Sequence, residues 1–225
     1  QYLYQLMKIS YKRIRVYSNS EEMANTITHA FGIVLGLVAG YFLLTKAAEY
    51  GSWAFYSVLV YLLAMLLSYT ASTLYHSPQG NKHGIYQKID HAAIYIHIAG
   101  TYTPITLLLL RNEGGWGWSL FGFVWLFALI GTIWSFRKRS KHSYFETICY
   151  VAMGCSILIA FKPLTDVLQS LDQMVVLYWV IAGGVSYGIG AIFYSLIRIP
   201  YMHTVFHFFV VGGSICHIIA IYEIV

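Results

Sequence analysis

The sequence predicts an all-α integral membrane protein, a bundle of seven transmembrane helices with a cytoplasmic N-terminus and the C-terminus outside. Three observations predict it. Of 225 residues, 58% are apolar and only 10% are charged, whereas a soluble domain carries about a quarter charged residues. So much apolar surface has no use in a soluble core of this size, and the solvent it implies is lipid. Aromatic residues make up 17%, with 20 Tyr, a residue type enriched at membrane interfaces where one end of the ring is apolar and the other wet. Finally, the basic residues fall in short segments between apolar runs.

A helical span needs about 20 apolar residues. Candidate spans run over 27–45, 52–75, 90–110, 117–136, 144–162, 174–197 and 203–223, punctuated by Gly51 and by 77–88, 112–115, 137–141, 163–173 and 198–200. Residues 1–19 read as a basic amphipathic segment and 20–225 as one seven-span domain. The first 16 residues have neither a continuous apolar core nor a small-residue cleavage site, so they do not read as a signal peptide. In span one, Gly32, Gly36 and Gly40 form a doubled small-xxx-small pattern, and span six repeats it at Gly184 and Gly188; such spacing lets backbones approach closely in lipid. Cys149, Cys155 and Cys216 lie inside apolar runs without a pairing pattern and read as buried, reduced hydrophobes.

Orientation follows from counting Lys and Arg. With the N-terminus inside, the inside segments hold Lys8, Lys12, Arg13, Arg15, Lys82, Lys88, Arg137, Lys138, Arg139, Lys141 and Arg198, and the outside segments hold Lys46, Arg111 and Lys162. That split favours N-in and C-out. The net charge of +5 is therefore a topology signal, and no nucleic-acid partner is expected.

Ionisable side chains inside spans are expensive and mark functional sites. His76 closes span two, Asp90 opens span three, and His203 and His207 open span seven, all at the inside end. His203 and His207, four apart, share a helix face and can offer two imidazole nitrogens to one metal; His76 makes a third donor. Three protein ligands with an open fourth position describe a catalytic zinc. Asp90 could occupy or neighbour that position by holding a water. Ser72, one turn before His76, lies on the same face and could hydrogen-bond the water or a substrate oxygen. His217 is about 15 Å further along the helix than His207, and His97 about 10 Å deeper than Asp90; both read as packing residues or cavity lining. His83 and His142 read as solvated loop residues, and His91 points about 100° away from Asp90. Ser20 with Glu21 and Glu22 reads as a helix N-cap with an acidic first turn. Glu22, Asn25 and His29 also share one face at i, i+3 and i+7 and could brace the site from behind.

Glu22-x-x-Asn25-x-x-Thr28-His29, Ser72-x-x-x-His76, Asp90 and His203-x-x-x-His207, in that order, resemble the progestin and adipoQ receptor superfamily, in particular its bacterial hemolysin III-related branch. The resemblance covers nearly the whole chain from Ser20. It implies seven helices with the N-terminus inside, one Zn2+ near the cytoplasmic side held by His76, His203 and His207, Asp90 bound to the metal or facing it through water, and Ser72 beside that water. Imidazole donors suit several transition metals; the resemblance selects zinc. The connection from His76 to Asp90 is slightly shorter than in the animal receptors, which bears on how Asp90 meets the metal. The regions used for hormone response have no counterpart, so no soluble hormone is expected.

Two readings compete, and a third is weaker. One is a zinc hydrolase of a lipid amide or ester, akin to the superfamily's ceramidases, with Asp90 as general base and the acyl-chain substrate entering from the bilayer. The second is a membrane sensor or regulator in which zinc staples helices. The third, a pore-forming cytolysin, has no support in the residues, since a secreted pore former is soluble before insertion. The expected location is the bacterial inner (plasma) membrane.

Overall fold

The computed structural model describes residues 17–77, 83–137, 144–196 and 198–225, with only the backbone of His83 and Tyr144. The expected basic segment (apart from its last three residues), the loop residue His142, and Lys82, Lys138, Arg139 and Lys141 of the orientation count lie outside the described residues. Every element described is helical, and seven helices are long and apolar enough to cross a membrane: α1 Asn19–Tyr50, α2 Ser52–His76, α3 Gly84–Leu109, α4 Trp116–Arg137, α5 Phe145–Ser170, α6 Met174–Ser195 and α7 Met202–Ile224. Successive helices alternate in direction. The start of α1, the end of α2 and the starts of α3 and α7 therefore share one end of the bundle.

The boundaries differ from expectation where polar residues interrupt an apolar run. Helix α1 starts eight residues before the expected 27, because Ser18, not Ser20, is the N-cap. Its hydroxyl accepts from the Glu21 amide, and the Glu21 carboxylate reaches back to the Ser18 amide at 2.9 Å, a reciprocal capping box. Helix α3 likewise starts before Asp90, which stands more than a turn inside it. Helix α5 continues to Ser170, past the expected break at Pro163. It is rebuilt in three pieces: α-helix Tyr144–Gly154, a tighter 3-10 stretch Cys155–Ala160, and α-helix Phe161–Ser170. Pro163 falls in the first turn of the last piece, where its missing amide hydrogen costs no helical bond. Pro104 sits near the end of α3, and one π-helical turn, Ile105–Leu109, follows it.

Gly51 joins α1 to α2 at φ +129°, a conformation that only glycine adopts without strain. The small-residue stripe of α1 does what its spacing predicts: a Cβ on Gly32 would lie 2.4 Å from the Tyr69 ring, and one on Gly36 2.9 Å from Leu66. The stripe of α6 does not. Gly184 and Gly188 have nothing near them; the close approach to α7 is made by Gly183, against His217, and by Gly190, against Phe206 and Phe209. Spacing alone could not choose between faces offset by one residue. The cysteines are free as expected but not buried: Cys155 is exposed and Cys149 and Cys216 are half-buried.

The closest pairings join α6 to α7, α3 to α2 and α4, and α2 to α1, with α7 closing onto α1. Helix α3 is the most buried and α5 the most peripheral. The core is aliphatic and aromatic, with Leu43, Val58, Met65, Leu110, Val124 and Ile221 fully enclosed. Outward faces carry apolar side chains such as Ile27, Phe31, Val34 and Val38 of α1, a continuous apolar exterior of the kind that lipid covers.

Candidate metal centre

His76 is the last residue of α2 and His203 the second of α7. The helical rise then brings His207 to the face of His203. One ring nitrogen of each lies within 4.8 Å of the others, and all three residues are buried. The Nε2 atoms of His76 and His203 are 3.1 Å apart, close to the ~3.3 Å expected for two imidazoles at ~2.05 Å from one tetrahedral metal. Among the described residues this is the one group able to hold a metal ion.

Two of the three imidazoles are held in the tautomer that would leave Nε2 free for a metal. The Nδ1–H of His76 donates to Glu22 Oε2 at 2.6 Å, which leaves Nε2 as a lone pair. The Nδ1–H of His207 donates to the Asn25 backbone carbonyl at 3.3 Å, again freeing Nε2. Asn25 is itself anchored, since the Thr204 hydroxyl donates to its Oδ1 at 2.6 Å. A carboxylate or carbonyl behind the imidazole fixes ring orientation and raises donor basicity. His29 stacks on His207, with ring centroids 3.5 Å apart and 13° between planes. Both His29 nitrogens are buried without a hydrogen-bond partner among the described residues. The face predicted for Glu22, Asn25 and His29 is thus the one packed behind the histidines.

Ser72 is buried one turn before His76. Asp90 is half-buried and lies outside the three-histidine group. His97 and His217 are buried elsewhere, the first against the Tyr69 ring at 6.0 Å and the second 3.3 Å from the Val180 carbonyl. Below the centre, Tyr69 donates to Ser214 Oγ at 2.7 Å, and Tyr187 lies 2.9 Å from the same oxygen.

Three features escaped the sequence reading. Tyr17 stacks on His203 at 5.1 Å and 30°. Glu21, read only as a cap residue, is buried and accepts from the Tyr201 amide at 2.8 Å; this ties the start of α1 to the start of α7, where Tyr201 takes a left-handed φ of +63°. The third is a second buried cluster. The Nδ1 of His91 is 2.9 Å from Glu146 Oε2, Ser135 donates to Glu146 Oε1 at 2.9 Å, and the Tyr150 hydroxyl donates to the His91 carbonyl at 2.9 Å. This clasp joins α3, α4 and α5. A carboxylate ahead of the apolar run of the fifth span was the available signal.

Replacing Glu22 with Gln keeps the shape but weakens the hold on the His76 proton. We expect metal affinity to fall about 10–100-fold, measured by competition with a chromogenic chelator; an unchanged affinity would show that the carboxylate does not support the donor.

Fold and site together define a multi-pass helical membrane protein with a buried, three-histidine centre able to hold a metal ion. The chain belongs to the haemolysin III-related family, whose model matches residues 17–218. It is 39% identical over 198 residues to Hemolysin-3 of Bacillus cereus, covering 86% of this chain and 87% of the relative. It is also 39% identical over 201 residues to a Hemolysin-3 homolog of Bacillus subtilis, covering 88% and 92%. The human Monocyte to macrophage differentiation factor is 30% identical over 212 residues, covering 90% of this chain and 84% of that protein.

Proposed function

We propose that this protein is a zinc-dependent hydrolase of a lipid amide or ester, set in the cell membrane of a bacterium with its N-terminus and metal centre on the cytoplasmic side. The observation that carries the reading is the donor set, three buried histidines and no fourth protein donor among the described residues, which suits a catalytic rather than a closed structural site. A zinc ion held by His76, His203 and His207 supplies polarisation of a carbonyl and activation of water. Glu22 and the Asn25 carbonyl keep His76 and His207 in the Nε2-donor tautomer. Asp90 takes up the proton of the attacking water as general base. Ser72 hydrogen-bonds the water or the developing oxyanion. Tyr17, stacked on His203, keeps that ring away from solvent. The acyl chain enters sideways from the bilayer. The excess of Lys and Arg in the inside segments supports the orientation.

The test is release of fatty acid from ceramide and acyl-ester panels by zinc-loaded protein. We expect turnover by the wild type, its loss in His76→Ala, and a rate about 10²–10⁴-fold lower in Asp90→Asn with metal retained. A second reading, a membrane sensor stapled by zinc, is favoured by the ties that Glu22 and Asn25 make from α1 to α2 and α7. Absence of turnover across the panels, with full metal content, overturns the hydrolase and leaves the sensor.

A further inference from the structure

At the end of the bundle away from the metal centre, a cavity of about 250 Å³ opens between α2, α3 and α4. Its mouth is formed by the exposed rings of Trp53 and Tyr56. Beside it stands Arg111, whose guanidinium lies over the Trp53 ring with 4.3 Å from Cζ to the centroid. Arg111 Nη1 is buried and has no hydrogen-bond partner, and among the described residues no carboxylate pairs with it. Arg111 is half-buried, and a cation with an unsatisfied nitrogen at the rim of an apolar groove suits an anion.

The three helices are graded in step. Along α2, Trp53 is followed about 6 Å deeper by Ser57 and about 10 Å deeper by Val60. Along α4, Trp118 gives way to Phe121 and Trp125, and α3 arrives from below through Thr103 and Leu107 to Arg111. An aromatic ladder runs down the groove, Trp53 against Trp118 at 6.0 Å, then Phe121 at 6.1 Å and Trp125 at 6.2 Å. At the middle level Ser57 lines the cavity with its Oγ buried out of reach of it. At the bottom the one hydroxyl is already used: Thr103 accepts from Trp125 Nε1 at 3.2 Å and donates to the Ala99 carbonyl at 2.9 Å. The order from the mouth inwards is therefore a cation and then an apolar interior. That is the order of phosphate and hydrocarbon in a membrane lipid.

We propose that this groove binds one glycerophospholipid, with its phosphate on Arg111 and the first part of one acyl chain in the cavity. The rest of the chain stays in the bilayer, since the cavity is smaller than the ~300–1,000 Å³ that encloses a whole small molecule. This lipid is a resident ligand, not the proposed substrate, and the site is independent of the metal centre.

The experiment is native mass spectrometry of the delipidated full chain, titrated with phosphatidylglycerol and with diacylglycerol of the same acyl chains. Wild type, Arg111→Gln and Val60→Phe are compared, with melting temperature as the check on folding. We expect wild type to take up one phosphatidylglycerol at a concentration about tenfold lower than either variant. Arg111→Gln should leave diacylglycerol binding unchanged, and Val60→Phe should weaken both lipids. Equal phosphatidylglycerol binding by wild type and folded Arg111→Gln overturns the proposal. So does wild-type binding of diacylglycerol as tight as that of phosphatidylglycerol, which would make the groove merely apolar. Should Val60→Phe fail to fold, the Arg111→Gln comparison decides alone.

Discussion

Purified wild-type protein should carry one tightly held metal ion per chain, and the double variant His203→Ala/His207→Ala should carry none. The two substitutions remove two of the three donors in the only group of metal-competent side chains among the described residues. The remaining donor, His76, keeps Glu22 at 2.6 Å, and α7 loses no helix-capping residue, so the variant should still fold. The wild type should lose stability on chelation and the variant should not. An ion present at ~1,000 times its dissociation constant contributes about 4 kcal/mol to the folded state, which for a chain of this size corresponds to about 8–16 °C in melting temperature. Metal analysis by mass spectrometry and thermal unfolding with and without chelator measure both. Equal metal content in the two proteins would remove the centre from consideration.

Glu146→Ala should destabilise the bundle about as strongly by an unrelated route. Glu146 and His91 are both buried, their contact is 2.9 Å, and the second carboxylate oxygen receives the Ser135 hydroxyl. Removing the acid strands a buried imidazole and a hydroxyl. Breaking one side of such a pair costs about 3–5 kcal/mol, or about 6–20 °C. Removing both partners together, in His91→Phe/Glu146→Leu, should recover most of the loss, because the desolvation cost disappears with the charges. Unfolding in detergent with circular dichroism reads the cycle. A loss below about 0.5 kcal/mol for Glu146→Ala would place the clasp among surface-like contacts.

The helices and the three-histidine group could be read from the chain because each leaves a local trace. Apolar runs of membrane length mark the spans, and histidines at the ends of two of them stand out against that background. Glu22, Asn25 and His29 were legible through helical periodicity alone. The rest depended on information that spacing does not carry. The early start of α1 hides behind Glu21, Glu22 and Asn25, which break the apolar run, although the Ser18–Glu21 capping box was there to find. The last turns of α5 are polar on one side, and Pro163 reads as a stop until the 3-10 turn before it resets the helix. Which face of α6 meets α7 is decided by the rings of His217 and Phe206, partners far away in sequence. Glu146 and His91 are 55 positions apart, and nothing in either neighbourhood names the other.

The residues that clasp the imidazoles come from α1, while two of the imidazoles sit on α7, with five helices between them. Glu22 and Asn25 must therefore wait through five intervening insertions before His203 and His207 arrive. Helices that settle individually in lipid and then associate can tolerate that delay, but no intermediate short of α7 presents all three histidines. Assembly of the three-histidine group is thus tied to the arrival of α7, and a ribosome stalled before residue 202 leaves six inserted helices with His76 alone of the three.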